Sequence, residues 1–128
     1  MQKFGFGIIF GLMLALAACG GGPAPTESGG TVVSGQKVYE EVAVPACSTC
    51  HSLEPGKSLA GPSLAKIGAE AGTRVSGMSA EEYLRRSIIA PDEYIVPGFG
   101  SGIMPTGYGT QLSAQQIQDL IGYLLTLK

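Results

Sequence analysis

The last part of the chain carries apolar residues at the spacing of an α-helix. They recur at positions i, i+3, i+4 and i+7, so they share one face of a helix. Ser113 precedes them, with Gln116 three residues later, and this spacing is typical of a capping box at a helix start. The pattern predicts a C-terminal helix whose buried face is formed by Ile117, Leu120, Ile121 and Leu124.

Three further helices are predicted upstream, and no segment alternates as a half-buried strand would. They cover 36–44, ending at Pro45, then about 63–71, then 80–90 after a capping box that begins at Ser79. The connecting segments 52–62 and 92–112 are predicted loops, long for so small a domain unless they pack on something. We therefore expect an all-α fold of three to five short helices with long loops.

The first eighteen residues resemble an export signal. Lys3 precedes an uncharged apolar run, 4–18, which is shorter than the roughly 20 residues that a membrane-crossing helix needs. The run ends in Leu-Ala-Ala-Cys, similar to the bacterial lipoprotein processing box, in which the cysteine is lipidated and begins the mature chain. We predict a cleaved lipoprotein signal peptide over 1–18 and a lipidated Cys19. The alternatives are an ordinary signal peptide cut near Ala18 and an uncleaved membrane anchor.

The next segment, 19–33, is predicted to be a tether that begins at the lipidated cysteine. It is rich in Gly, Pro, Ser and Thr and has no apolar period, as in flexible linkers. It would hold a domain near a membrane while letting the domain reorient. The alternative is an ordered extension that lies on the domain. The remaining residues, 34–128, are predicted to form that domain.

Composition and charge exclude two classes of protein. The chain has 128 residues, enough for one compact domain. Its 8 Lys and Arg residues stand against 10 Asp and Glu residues, and the net charge of −2 argues against nucleic-acid binding, which needs a basic face. With 45% hydrophobic and only 14% charged residues, the chain does not have the composition of a disordered protein.

A cysteine pair followed by a histidine carries the candidate chemistry. Cys47, Cys50 and His51 form the C-x-x-C-H sequence at which c-type haem is attached. On a helical turn, two thiols at this spacing match the two vinyl groups of the porphyrin, and the adjoining imidazole becomes an axial ligand of the iron. Haem attachment takes place outside the cytoplasm, which agrees with the predicted export signal.

Three other uses of these residues explain less. A thioredoxin-like redox pair needs a βαβ context, and a structural zinc site needs four ligands. A disulfide between Cys47 and Cys50 leaves His51 unexplained. The haem assignment uses all three cysteines of the chain, with Cys19 lipidated.

The second axial ligand is predicted to be Met104. The other methionine beyond the predicted signal peptide, Met78, directly precedes a predicted helix, where a surface or packing role is expected. Met104 lies in a glycine-rich loop, 98–109, whose backbone can approach a flat cofactor closely, and Pro105 stiffens the chain after it. The alternative for Met104 is a gap-filling role in the core. A His/Met pair raises the reduction potential and favours one-electron transfer over oxygen chemistry.

Residues 34–128 resemble class I cytochrome c, in its bacterial monohaem form. Besides C-x-x-C-H, the sequence Gly-Pro-Ser-Leu at 61–64 is similar to the G-P-x-L of that family. The resemblance implies that the Pro62 carbonyl accepts a hydrogen bond from Nδ1 of His51 and fixes the tautomer of that ring. The strongest likeness is to cytochrome domains fused to, or associated with, terminal oxidases and other respiratory complexes.

The terminal helices also resemble those of class I cytochrome c. Gly35 and Tyr39 match its N-terminal helix, while Leu120 and Tyr123 match its C-terminal helix. The resemblance implies that the two helices cross at a glycine and pack an aromatic pair. Two departures are extra residues before Cys47, ending in Val-Pro-Ala, and the absence of a lysine-rich docking ring. We expect a partner steered by charge to be positive.

The remaining site predictions concern the haem crevice. Its apolar lining is predicted to consist of Leu64, Ile88, Ile103, Leu120 and Leu124. Tyr94 and Tyr108 are candidates to bond the haem propionates or the methionine sulfur, the alternative being half-buried packing. Arg85 and Arg86 are expected on a solvated helix face, with propionate pairing as the alternative.

Together these features predict a membrane-anchored one-electron carrier with one covalently bound haem c. It would serve a respiratory or photosynthetic chain outside the cytoplasm, on the cytoplasmic or the outer membrane. It would move between complexes or form a subunit of a quinol-oxidising or terminal oxidase assembly. Its partners would be redox proteins, with no nucleic acid or small-molecule substrate. The alternatives are a haem enzyme or gas sensor with a labile Met104, peroxidase-like or NO-binding, and a non-haem redox thiol protein.

Overall fold

The computed structural model describes residues 31–128, and every regular element within that range is helical. Four α-helices are longer than one turn: α1 (Val32–Lys37), α3 (Ile67–Arg74), α4 (Ala80–Ile89) and α6 (Ala114–Thr126). Two are single turns, α2 (Cys47–Cys50) and α5 (Tyr108–Gln111), while a π turn (Val38–Val42) extends α1 and a 3-10 turn (Pro91–Glu93) follows α4. The predicted all-α class is confirmed. The predicted signal peptide, Cys19 and most of the predicted tether lie outside the described residues.

The two ends of the domain cross at Gly35. A Cβ atom at this position would stand 2.6 Å from the Tyr123 Cβ of α6 and closer still to the Asp119 carbonyl oxygen, so a glycine is required for the helices to touch. Tyr39 and Tyr123 pack beside the crossing, with ring centroids 5.9 Å apart and planes tilted by 51°. The predicted helix crossing and aromatic pair are both confirmed.

The first helix begins and ends earlier than the predicted 36–44. Thr31 is its N-cap, with a hydroxyl that accepts the Ser34 N–H at 3.2 Å, so the helix starts at Val32. Its last turn is a π turn closed by the Ala43 N–H on the Val38 carbonyl at 3.3 Å. The helix does not continue to Val44 because both backbone groups of that residue bond to a side chain further along the sequence.

The third helix begins at Ile67, four residues later than the predicted start at 63. The backbone before it bonds instead to the segment that follows α2. Gly61 N–H donates to the Cys50 carbonyl at 2.9 Å, and Leu64 N–H donates to the Ser52 carbonyl at 2.8 Å. These bonds to the segment after α2 engage backbone N–H groups of 61–64, and the segment is not helical.

The predicted loop over 92–112 contains α5, which the sequence analysis missed. The first three residues of this turn, Tyr-Gly-Thr, have low intrinsic helix propensity. The turn forms because Tyr108 is buried in the core and donates its hydroxyl hydrogen to the Pro45 carbonyl at 2.8 Å. A tertiary contact therefore overrides the local preference.

The C-terminal helix α6 follows its sequence pattern closely. All four residues of the predicted stripe are buried, and Ser113 and Gln116 form the complete capping box. The box predicted at α4 is only half formed, because Ser79 caps the Glu82 N–H while the Glu82 carboxylate pairs with Arg86 at 2.7 Å. Within 31–128, no helix has the length and apolar content that a membrane crossing requires.

Candidate cofactor site

Helices α2, α3, α4 and α6, together with the two long loops, surround one large cleft. Its space amounts to about 1180 Å³, counting the part that is continuous with solvent. Apolar side chains form most of the wall, among them Ile67, Leu84, Ile88, Phe99, Leu120 and Leu124. A cleft of this size and character is suited to a large, flat and mainly apolar cofactor.

The short helix α2 places both cysteines of the C-x-x-C-H sequence on the wall of this cleft. Cys47 and Cys50 are half-buried and three residues apart, so they lie on one side of the turn. The turn ends as the His51 N–H bonds to the Cys47 carbonyl at 2.9 Å, and His51 continues as extended chain. The same few residues therefore present two sulfur atoms and an imidazole to one space.

His51 is held in a defined tautomer. Its Nδ1 lies 2.8 Å from the Pro62 carbonyl oxygen. A carbonyl can only accept, so Nδ1 carries the hydrogen and Nε2 keeps its lone pair. Burial lowers the pKa of His51 below its ordinary value, although the bond to Pro62 opposes that shift. The result is a neutral imidazole whose free nitrogen is suited to bind a metal.

Gly61 forms the surface on which the His51 ring rests. A Cβ atom at Gly61 would lie 2.8 Å from Nδ1 and 2.9 Å from Nε2, and closer still to the ring carbon Cε1 between them. A Cβ atom essentially never lies this close to a non-bonded heavy atom, so any side chain at this position displaces the ring. Gly61 thus belongs to the site as a positioning residue, beside the predicted Pro62.

Gly61→Ala is expected to disturb the site without disturbing the rest of the fold. Overpacking costs about 1–3 kcal/mol, so the ratio of native to displaced imidazole orientations should fall about 5- to 140-fold. The yield of haem-loaded protein and the spectrum of its iron would measure this loss. Gly107→Ala is the control, because its Cβ has no neighbour within 4 Å. Equal yields and spectra for the two variants would contradict the assigned role.

Tyr39 makes a second hydrogen bond to His51, and no sequence pattern indicated this contact. Its hydroxyl donates to the His51 carbonyl oxygen at 2.5 Å. Burial raises the pKa of Tyr39 to about 12, so the hydroxyl remains a donor at neutral pH. Its aromatic character and helical position indicated only a packing role.

Met104 lines the same cleft as His51, whereas Met78 packs against the core without lining the cleft. The loop that carries Met104 is fastened where the Gly102 N–H donates to the Asp92 carboxylate at 2.9 Å. Gly102 has a φ of 72°, in the left-handed region that a glycine adopts without strain. The structure therefore brings a thioether to the wall of the space that the imidazole faces.

The other predicted lining residues also lie on this cleft; they are Leu64, Ile88, Ile103, Tyr94 and Tyr108. Ile103 is 52% exposed and forms part of the rim, while Ile88 is buried. Tyr94 packs edge-on against Tyr83 at a centroid distance of 5.7 Å. The donor hydrogen of the Tyr108 hydroxyl is engaged by Pro45, which accords with the packing alternative for this tyrosine.

The arginine of the cleft is one that the sequence analysis overlooked. Arg85 and Arg86 pair with Glu81 and Glu82 on the surface of α4, at 3.5 and 2.7 Å, and do not line the cleft. Arg74, in the last turn of α3, does line it and is paired with Glu70 at 2.5 Å. The sequence offers no signal that separates Arg74 from the other surface arginines.

The geometry does not favour the redox-thiol and zinc alternatives. Burial raises the pKa of the Cys47 thiol to about 11, the opposite of the lowered pKa of reactive redox cysteines. Over the range 31–128 there is no βαβ unit and no group of three His, Cys, Asp or Glu side chains arranged to hold a metal ion. The donor set of two thiols, one neutral imidazole and one thioether fits a covalently attached haem.

Comparison with known proteins leads to the same class. The family model described as cytochrome c matches residues 32–128, and the chain belongs to that family. It is an electron carrier with the class I cytochrome c fold, and its cofactor is one covalently bound haem c. Cys47 and Cys50 fit the attachment motif for that haem. Family membership also indicates a location outside the cytoplasm.

A curated relative is similar over most of its own length. The chain is 30% identical to cytochrome c2 iso-1 of Magnetospirillum fulvum over 93 residues, which cover 64% of this chain and 91% of that protein.

Proposed function

We propose that this protein is a lipid-anchored monohaem cytochrome that carries electrons in a respiratory or photosynthetic chain. The observation that carries the proposal is the convergence of Cys47, Cys50, His51 and Met104 on one apolar cleft. Haem bound there supplies a reversible one-electron change at its iron. The chain's own residues determine how that iron is held and how far water reaches it.

Each of the central residues has a separate task in this proposal. Cys47 and Cys50 would bind the haem through thioether bonds, and Nε2 of His51 and the sulfur of Met104 would hold its iron. Pro62 keeps Nε2 unprotonated through its bond to Nδ1. With His51 and Met104 both holding the iron, the site would leave no position for a substrate.

The walls of the cleft determine the polarity around the haem, whose charge would change with each electron. Leu64, Ile88 and Ile103 exclude water from the haem, and a dry site limits the reorganisation that accompanies each electron. Tyr94 and Tyr108 complete the wall as packed aromatic side chains. Arg74, a cation of the cleft wall that also pairs with Glu70, would offset part of the negative charge of the haem carboxylates.

The proposed lipid anchor is supported by the sequence Leu-Ala-Ala-Cys at 16–19 and by the tether that follows. Two or more acyl chains on Cys19 would give stable attachment where a single chain would not. Confinement to a membrane raises the effective concentration of the domain near its redox partners. The same anchor suits a free carrier and a subunit of a quinol-oxidising or terminal oxidase complex.

Cys19→Ser tests the anchor. The variant is expected to lose incorporated fatty acid, and its haem domain should move from the membrane to the soluble fraction. Acyl labelling, cell fractionation and the mass of the mature chain measure these changes. Ser28→Ala, within the same tether, is the matched control and should remain lipidated and membrane-bound. The proposal would be contradicted if the wild type incorporated no labelled fatty acid. It would also be contradicted if the Cys19→Ser chain stayed in the membrane with its leader cleaved.

A further inference from the structure

The segment that leads into α2 is hydrogen-bonded to side chains of α5, the helix that follows Met104. The side-chain amide of Gln111 accepts the Val44 N–H at 2.7 Å and donates to the Val44 carbonyl at 2.8 Å. Beside this pair, the Tyr108 hydroxyl donates to the Pro45 carbonyl at 2.8 Å. We call Val44, Pro45, Tyr108 and Gln111 the α5 strap.

The α5 strap depends on the chemistry of a glutamine. Tyr108 and Gln111 are three residues apart on α5, so they face the same side and reach consecutive backbone residues. An amide both donates and accepts, and so it satisfies both the N–H and the C=O of Val44. A carboxylate of the same length lacks the donor and would set its oxygen against the Val44 carbonyl.

The strap joins the two walls of the site. On one side, Val44 and Pro45 lead directly into Ala46, the N-cap of the helix that carries Cys47. On the other side, only residues 105–107 separate Met104 from α5. The strap therefore links the segment that would hold the haem at Cys47 and Cys50 to the Met104 loop, and the contacts of Gln111 with Val44 lie outside the cleft.

We propose that Gln111 is a positioning residue that keeps Met104 on the haem iron. The inference rests on the proposed ligation by Met104. An axial thioether must remain close to the iron against the freedom of a glycine-rich loop, and the strap removes part of that freedom. Loss of the two bonds made by Gln111 corresponds to about a tenfold increase in the population with Met104 dissociated.

Imidazole titration of the oxidised, fully matured protein measures that population. Free imidazole binds the iron only when Met104 has left, so its apparent Kd is the intrinsic Kd divided by the dissociated fraction. Imidazole binding is monitored through the loss of the thioether-to-iron charge-transfer band. Gln111→Ala is expected to lower the apparent Kd about tenfold. Gln111→Glu should change it in the same direction.

Gln36→Ala is the matched control. Gln36 is also an exposed amide, and it donates to Glu40 at 3.0 Å within the first helical segment, away from the cleft. The imidazole Kd of this variant should equal that of the wild type. Denaturant unfolding of both variants is measured in parallel, because a merely structural role would lower stability without changing imidazole binding.

The outcomes separate this inference from the proposed function. A wild type that shows the charge-transfer band, with a Gln111→Ala variant that binds imidazole no more tightly, overturns the strap and leaves Met104 ligation in place. An equal tightening in Gln36→Ala also overturns it. A wild type without the band removes Met104 as a ligand, and the strap proposal fails with it.

Discussion

Met104→Ala is expected to lower the reduction potential by on the order of 0.2 V, a modest part of the roughly 0.8 V that axial ligands span. The reason is that a thioether stabilises the reduced iron relative to harder ligands such as water. The reduced variant should also bind carbon monoxide, because one axial position is then open. Potentiometric titration and a carbon monoxide difference spectrum measure the two effects.

Met78→Ala is the matched control for this experiment. Met78 is also half-buried, but it packs against the core and does not line the cleft. Its removal should leave the potential and the carbon monoxide response unchanged. An unaltered potential in Met104→Ala would assign the ligand elsewhere. Ready carbon monoxide binding by the wild type would favour a haem enzyme or gas sensor over a carrier.

Gly35→Ala should reduce the free energy of unfolding by about 3 kcal/mol or more, the upper end of overpacking effects. The added methyl group meets the backbone carbonyl of Asp119, which cannot rotate away as a side chain could. The helices at the two ends of the domain must separate, and the contact between Tyr39 and Tyr123 is lost with them. Guanidinium unfolding of the haem-loaded protein measures the change.

Gly72→Ala provides the comparison for Gly35. Gly72 is exposed in α3, and its Cβ would make only ordinary contact, 3.6 Å from the Ala80 Cβ. Alanine is favoured over glycine in a helix, so this variant should gain about 0.5–1 kcal/mol. Two substitutions of the same chemistry are thus expected to have opposite signs. A similar loss from both would mean that the helix crossing is not specially constrained.

The features that could be predicted from sequence depend on local spacing. The α6 stripe follows from a helical period, and its capping box from two side chains three residues apart. Likewise, the C-x-x-C-H sequence places its three residues together on one short turn. The contact between His51 and Pro62 came from resemblance to a family, since spacing alone does not bring those residues together.

The features that could not be predicted depend on contacts between distant segments. The helical turn α5 forms against its own propensity because Tyr108 is buried and bonded to Pro45. The end of the first helical segment is set by Gln111, which lies 67 residues beyond Val44 in sequence. Arg74 lines the cleft together with residues that are far from it in sequence. Each of these outcomes is decided by tertiary structure, which a one-dimensional pattern does not contain.

Tyr39 makes the two terminal helices of the described domain and the imidazole of His51 parts of a single cooperative unit. Its ring packs on Tyr123 while its hydroxyl bonds the His51 carbonyl, so one side chain belongs both to the terminal closure and to the cofactor's surroundings. Shortening the protein at its carboxyl end would therefore be sensed at the iron, although no haem ligand had been removed. The spectrum of the haem-loaded protein would thus report whether α1 and α6 are in contact.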